Sequence, residues 1–311
     1  MKTAFLFAGQ GSQYVSMGKD FYQNSPAAAE VFDSVDIDFD VKETCFEGPR
    51  EILNDTAYTQ SCVFLTSMAI ARALEEKGVK AHCAAGLSLG EYSALCYSGA
   101  FGISDGLNIV RRRGRLMAGA LPAGTTKMAA VMGCEVPVIQ DACRQASRLG
   151  VCRIANYNCP GQIVISGEKA AVEKAGEILS AQPRVRVIPL NVSGAFHTSL
   201  LADAAVKLGQ ALDKYDIKKP ELIVYFNTTG RREEVKDGLH LKEILCRQIQ
   251  SSVYFQQIVE NMIADGVQLF VEVGPGAALS KFVKKICRNA RVVSVDKFSD
   301  IEKVLEALKD E

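Results

Sequence analysis

The chain has 311 residues, 48% of them apolar and 7% aromatic, enough for one large or two modest globular domains with a substantial core. Thirty-six basic residues balance thirty-six acidic ones, so no global field draws it to nucleic acid or to an anionic membrane. The ten cysteines are scattered without a C-x-x-C pair or zinc-ligand spacing, which excludes a metal centre of that kind and points to reduced thiols in a cytoplasmic protein.

In chain order, Thr3 to Ala8 reads as a short buried strand closed by Gly9, too brief for a signal peptide, and no later run approaches membrane-spanning length without charge. Apolar residues at helical spacing from Ser61 to Lys77 predict a helix that Gly78 terminates. Val79 to Leu87 is a second strand candidate, followed by helices over Glu91–Tyr97 and Asp105–Leu116, the latter carrying Arg111, Arg112, Arg113 and Arg115. A linker at 121–126 leads into strand Met128–Met132, helix Val136–Leu149, strand Val151–Asn156, a turn, strand Gln162–Ser166, helix Lys169–Ala181 and strand Val185–Leu190. This βαββαβ order is the ferredoxin-like split motif. It predicts a small ferredoxin-like domain over 126–192, interrupting a larger discontinuous α/β domain with a parallel sheet formed by 1–125 and 193–311. The α/β pattern then resumes with helix Leu201–Leu212, strand Leu222–Asn227, a mostly helical Leu239–Ile263, strand Val267–Val273, a helix from Ala277 to Cys287, strand Val292–Val295 and helix Ile301–Lys309.

Gly86-Leu87-Ser88-Leu89-Gly90 fits G-x-S-x-G, the sharp strand-to-helix turn that exposes a nucleophilic serine at the start of a helix. The helix N-terminus behind it suits a developing oxyanion. Serine needs a base at neutral pH, and the chain offers His82, His197 and His240. His82 lies in or just before the strand and His240 in a charged helical segment. His197 sits in a small-residue turn between the insert and the next helix, where a domain junction lines a cleft, although a loop histidine on its own is more often simply exposed. No acidic residue has an evident claim to orient it, since Asp203 belongs to the next helix. A Ser/His dyad with a neutral acceptor on the imidazole is therefore favoured over a triad.

These residues carry a family resemblance. Phe7-Ala8-Gly9-Gln10-Gly11-Ser12-Gln13, Gly86 to Tyr92, Asn156 to Gln162, Gly194-Ala195-Phe196-His197, Arg247-Gln248 and Val271 to Gly276 resemble, in order, the motifs of malonyl-CoA:acyl-carrier-protein transacylases. One departure is Leu87, where the family usually has histidine. The resemblance implies an α/β-hydrolase-like core around the insert. It implies that Ser88 attacks a thioester with His197 as base, forming a malonyl-Ser88 intermediate in ping-pong transfer from malonyl-CoA to the thiol of an acyl-carrier protein, without a cofactor. It also implies an oxyanion hole from the backbone N–H groups of Gln10 and Leu89, a carboxylate clamp at Arg113, a histidine acceptor in the Gln248 carbonyl and malonyl selectivity through the bulk of Phe196. Read alone, Arg113 belongs to a solvated helix face. Lys281, Lys284, Lys285 and Arg288 recur at i, i+3, i+4 and i+7 and form a candidate docking face for an acidic carrier protein, or an ordinary solvated face. The chain is expected to act as a monomer. Two rival readings stay open: a serine thioesterase or hydrolase, and a catalytically silent carrier-binding subunit.

Overall fold

The structure, a computed structural model, describes residues 1–192 and 194–309. The expected junction at Ser193 lies outside the described residues. Among the described residues, ten strands form two sheets: β1 Thr3–Phe7, β2 Cys83–Gly86, β3 Thr126–Met132, β4 Cys152–Cys159, β5 Gln162–Glu168, β6 Arg186–Pro189, β7 Ile223–Phe226, β8 Arg231–Arg232, β9 Leu269–Val273 and β10 Arg291–Val295. The larger sheet runs β10-β9-β1-β2-β7-β8, parallel except for the short β8 at one edge.

Both faces of that sheet are covered, as parallel sheets require. Alternation along β1 sends Phe5 and Phe7 into a cluster with Phe64, Met68 and Val110, from the helices Thr56–Glu76 and Ile103–Ala118. Ala4 and Leu6 point the other way, toward Ile258, Met262, Phe282 and Val283 of the helices Phe255–Ala264 and Ala278–Ile286. The Thr56–Glu76 helix is buried nearly all round, which is why its sequence lacks a polar stripe.

The second sheet is antiparallel with order β4-β5-β3-β6, the ferredoxin-like arrangement expected from the βαββαβ pattern. Ala129, Val131, Ile163 and Ile165 pack against its helices Val136–Ala146 and Lys169–Ser180 in a separate core. Their neighbours Met128 and Val164 face the opposite way and join the core of the larger unit. The two sheets are tied directly: Asn156 bridges Val253, with Val253 N–H donating to Ala155 C=O at 2.8 Å and Tyr157 N–H to Val253 C=O at 2.8 Å.

The mostly helical stretch expected over Leu239–Ile263 is two helices, Gly238–Gln248 and Phe255–Ala264, separated by an irregular segment whose carbonyls point at His197. Two expectations are corrected. The strand expected from Val79 begins only at Cys83, because β1 and β7 supply ladder partners no earlier. The helix after Gly276 ends at Ile286 and Cys287 is extended, so Arg288 lies beyond the helix, off the face shared by Lys281, Lys284 and Lys285.

Candidate active site

The loops that matter leave the carboxyl ends of adjacent parallel strands, where open α/β sheets build their crevices. Gly9 and Gln10 follow β1, Ser88 follows β2, and Asn227 follows β7. Two glycines make this crowding feasible. A Cβ on Gly86 would sit 2.0 Å from the Gly90 carbonyl carbon, and one on Gly90 would sit 2.1 Å from the Phe7 carbonyl oxygen. The helix Leu89–Tyr97 can therefore start directly against β1 and β2.

Ser88 pays for this sharp turn with φ 53°, ψ −98°, a conformation costing on the order of 1–3 kcal/mol unless its surroundings impose it. The surroundings do so. The Ser88 N–H donates to Asn227 Oδ1 at 2.7 Å, and Gln248 Nε2 donates to the Ser88 carbonyl at 2.7 Å. The hydroxyl Oγ lies 2.7 Å from His197 Nε2.

His197 is 3% exposed, and its own φ is 63°. Its N–H donates to the Ile249 carbonyl at 3.1 Å. Ring atom Nδ1 faces two carbonyls, those of Gln248 and Ser251, both at 3.1 Å. Carbonyls only accept, so Nδ1 carries the proton and Nε2 presents a lone pair to the serine hydroxyl. Burial, and secondarily the Arg113 charge, hold the imidazole below its usual value, at about 4. It is thus neutral and ready to accept a proton at neutral pH. Asp203 is exposed on the helix Ala202–Leu212 and is not a partner of this ring. His82 is exposed ahead of β2 and accepts the Thr3 N–H. His240 lies in the first turn of the helix Gly238–Gln248, its N–H capped by Asp237.

Arg113 overturns the solvated-face reading of its helix. It is 1% exposed, with Nη1 donating to Gln60 Oε1 at 2.7 Å and Nη2 to Gln248 Oε1 at 3.0 Å and to Ser88 Oγ at 3.1 Å. The Tyr92 ring lies 5.0 Å from its guanidinium carbon, and its Nε has no partner among the described residues. No carboxylate pairs with it among those residues. The buried Glu91 is a neighbour, but burial raises that carboxyl to about 8 and leaves it mainly protonated at neutral pH. The result is a buried cation beside the serine, surrounded by neutral amides.

The remaining predicted residues converge on the same place. Gly9, Gln10, Ser88, Arg113, Phe196 and His197 line a cavity of about 150 Å³. Met128, Asn156, Asn158 and Val164 of the smaller sheet close its other side. Gln10 is fixed through its side chain, which donates to Thr56 Oγ1 at 2.8 Å and accepts from Gln60 at 3.3 Å. The Gly9–Gln10 loop passes so near the elbow that a Cβ on Gly9 would lie 2.5 Å from the Leu87 carbonyl oxygen. The Leu89 N–H, in the first helical turn, has no i−4 carbonyl within its own helix. Phe196 is buried, its ring so close that a Cβ on Gly194 would meet it at 2.5 Å. Leu87 lines the cavity and packs against the apolar cluster on the far face of the sheet, an environment suited to its side chain.

The sequence reading missed Asn227, Gln60 and the buried Glu91–Tyr92 pair. It missed Arg111 as well, which is buried, pairs with Asp38 at 3.0 Å and lies over the rings of Phe39 and Tyr58. Only Glu91 and Tyr92 gave a signal, since two polar groups directly behind a nucleophile elbow mark the start of an unusually buried helix. Lys281, Lys284, Lys285 and Arg288 are exposed, and none pairs with a carboxylate among the described residues. Lys285 reaches only Gln162 Oε1, at 3.4 Å.

With this geometry in view, the chain was compared with known proteins. Residues 4–302 match the family model described as acyl transferase domain. A malonyl CoA-acyl carrier protein transacylase of Bacillus subtilis (strain 168) is 40% identical over 313 residues, covering 100% of this chain and 98% of the relative. The chain belongs to the malonyl CoA-acyl carrier protein transacylase family. A crystal structure of a family member from Clostridium perfringens superposes with a TM-score of 0.94 at 43% identity, covering 100% of this chain and 98% of that one. Another solved neighbour is a malonyl-transacylase in complex with its type II PKS acyl-carrier protein. It is 33% identical with a TM-score of 0.93, covering 99% of this chain and 100% of that one. The mixed α/β fold with two sheets is the fold of this family, and its members are acyltransferases. Among the described residues, no helix is long and apolar enough to cross a membrane.

Proposed function

We propose that the protein moves a malonyl group from malonyl-CoA to the phosphopantetheine thiol of an acyl-carrier protein by way of malonyl-Ser88. The observation that carries this reading is Arg113: a buried cation lacking a carboxylate partner, 3.1 Å from the serine oxygen, is costly in an empty site and is compensated by an acyl group ending in a carboxylate. A guanidinium presents parallel donors to the two carboxylate oxygens, which a lysine would not.

In the first half-reaction Ser88 Oγ bonds to the thioester carbonyl carbon while His197 Nε2 takes the hydroxyl proton. The carbonyl electrons move onto oxygen, held by the backbone N–H groups of Leu89 and Gln10. The C–S bond then breaks, the electrons return, and the proton on His197 passes to the leaving CoA thiolate. In the second half-reaction His197 takes a proton from the carrier thiol, whose sulfur attacks the Ser88 ester. Collapse returns that proton to Ser88 Oγ. The Gln248 and Ser251 carbonyls stabilise the transient imidazolium, taking the part a carboxylate has in a triad. Phe196 limits the room beside the acyl group, favouring malonyl over branched analogues.

Intact-mass measurement after mixing with malonyl-CoA tests the reading. A malonyl adduct that transfers to carrier protein and disappears in Ser88→Ala is expected. Rapid release of free malonate without carrier loading would indicate a thioesterase, and no reaction a silent carrier-binding subunit. Arg113→Ala should lose malonyl transfer while keeping or gaining acetyl transfer; equal loss of both removes Arg113 from the clamp.

The same proposal assigns carrier docking to the exposed cations Lys281, Lys284 and Lys285, with Arg288 beyond the helix end as an adjacent charge. It treats 126–192 as one domain and 1–125 with 193–311 as the other, each having its own core. It also takes the protein as a cytoplasmic monomer, a setting consistent with ten free cysteines.

A further inference from the structure

The ladder between β2 and β7 pairs Cys83 with Ile223 and Ala84 with Val224, then stops, although β2 continues to Gly86 and β7 to Phe226. Continued in register, it would bring Asn227 level with Leu87. Instead of a backbone ladder, the Asn227 side chain occupies this end of the strand. Its Nδ2 donates to the Gly86 carbonyl at 2.7 Å, and its Oδ1 accepts the Ser88 N–H at 2.7 Å. One amide therefore spans the two backbone groups flanking the elbow. Asn227 is fully buried, and its own N–H donates to Glu91 Oε2 at 2.5 Å, on the first turn of the helix behind Ser88.

We propose that Asn227 is a positioning residue for acyl transfer, holding Ser88 in its positive-φ conformation so that Oγ stays aligned with His197. It touches no reacting atom and acts through the Ser88 backbone. The amide suits this place because the two contacts need opposite hydrogen-bonding characters, a donor toward Gly86 and an acceptor toward Ser88. Aspartate, similar in shape, supplies two acceptors when ionised and repels the Gly86 carbonyl. When protonated it regains the donor. The charged or titratable groups facing this corner are Glu91, Arg113 and His197, with Glu233 acting on Glu91 from farther off.

The proposal rests on Ser88 as the acylated residue, and single-turnover acylation by malonyl-CoA, read by intact mass, tests both separately. Asn227→Ala is expected to slow adduct formation 10- to 100-fold, with the malonyl-CoA concentration at half-maximal rate within about twofold of the parent. The comparison is made below the melting temperature of each variant. Asn227→Asp is expected to be slowest at the alkaline end of the pH range and to recover at least fivefold as pH falls and its carboxyl takes up a proton, while the parent gains nothing over the same range. A purely structural role would lower the melting temperature and leave the acylation rate of the folded protein unchanged, with parallel pH profiles, and that result overturns the proposal. If Asn227→Asp does not fold, Asn227→Ser, which keeps only one of the two contacts, decides: a parental rate overturns the proposal and a tenfold loss supports it. An adduct that persists in Ser88→Ala overturns the acylation site itself, whereas parental rates in the Asn227 variants with no adduct in Ser88→Ala overturn only the positioning role.

Discussion

At the level of single residues, the site sets a buried cation, Arg113, beside a buried imidazole, His197. His197 owes its low affinity for protons first to burial and then to Arg113. In the proposed mechanism His197 acts deprotonated, so acylation should be level from pH 6 to 8 and fall only as pH approaches about 4, with no inflection near the ordinary imidazole value. Removing the neighbouring cation in Arg113→Ala should move that fall to higher pH, and single-turnover acetylation rates of parent and variant across the pH range check both statements. Glu91 is shifted in the other direction. Its folded-state value near 8 lies above the ordinary carboxylate value, so the folded protein binds more protons than the unfolded chain between those limits. Stability is therefore lost as pH rises through this window. Between pH 7.5 and 8.5, above the titration of His197 in either state, the melting temperature of the parent should decline relative to Glu91→Gln. Ser88, His197 and Gln10 were legible because each sits in a short glycine-bearing motif of its own, although the groups that hold them come from distant parts of the chain. Arg113 was obscured by the adjacent arginines, and Asn227 left no local trace because its partners lie 139 and 141 residues away.

The elements that carry these residues tolerate little change at their closest approaches. In Gly90→Ala the new methyl would sit 2.1 Å from the Phe7 carbonyl oxygen and 2.9 Å from that of Ala8, backbone that cannot yield without separating β1 from the elbow. We expect a loss of about 3 kcal/mol or more, read from the denaturant midpoint, with Gly86→Ala comparable. The order of strands and helices was readable because apolar periodicity switches cleanly between two and 3.6 residues. The interruption between the Gly238–Gln248 and Phe255–Ala264 helices was not, since Ile249 and Val253 maintain an apolar pattern through it. What breaks the helix is tertiary: the Ile249 and Ser251 carbonyls are taken by His197, while Val253 pairs with β4.

Across the whole molecule, the site is a seam between two cores. The smaller sheet contributes one wall of the cavity through Met128 and Val164 while packing Ile163 and Ile165 into its own interior. A substitution such as Ile165→Ala, which removes several methyl equivalents from a fully buried position, should cost about 2–5 kcal/mol. Because the wall depends on that core, it should also weaken malonyl-CoA binding; chemical denaturation with and without malonyl-CoA measures both effects. Reversing Lys284 and Lys285 to glutamate should reduce carrier association, more so at low salt, and leave malonyl-Ser88 formation from malonyl-CoA unchanged, as separate assays of the two half-reactions would show. The two sheets and their order in the chain could be read from the sequence. Their mutual placement could not, because it depends on contacts such as that of Asn156 with Val253, which no periodicity announces.

That contact acts as a rivet. Val253 lies two residues from the Ser251 carbonyl that accepts a hydrogen bond from His197 Nδ1–H, and both its backbone groups are held by β4. The same short stretch thus holds the smaller sheet against the cavity and seats the imidazole, so a substitution that loosens one is expected to loosen the other.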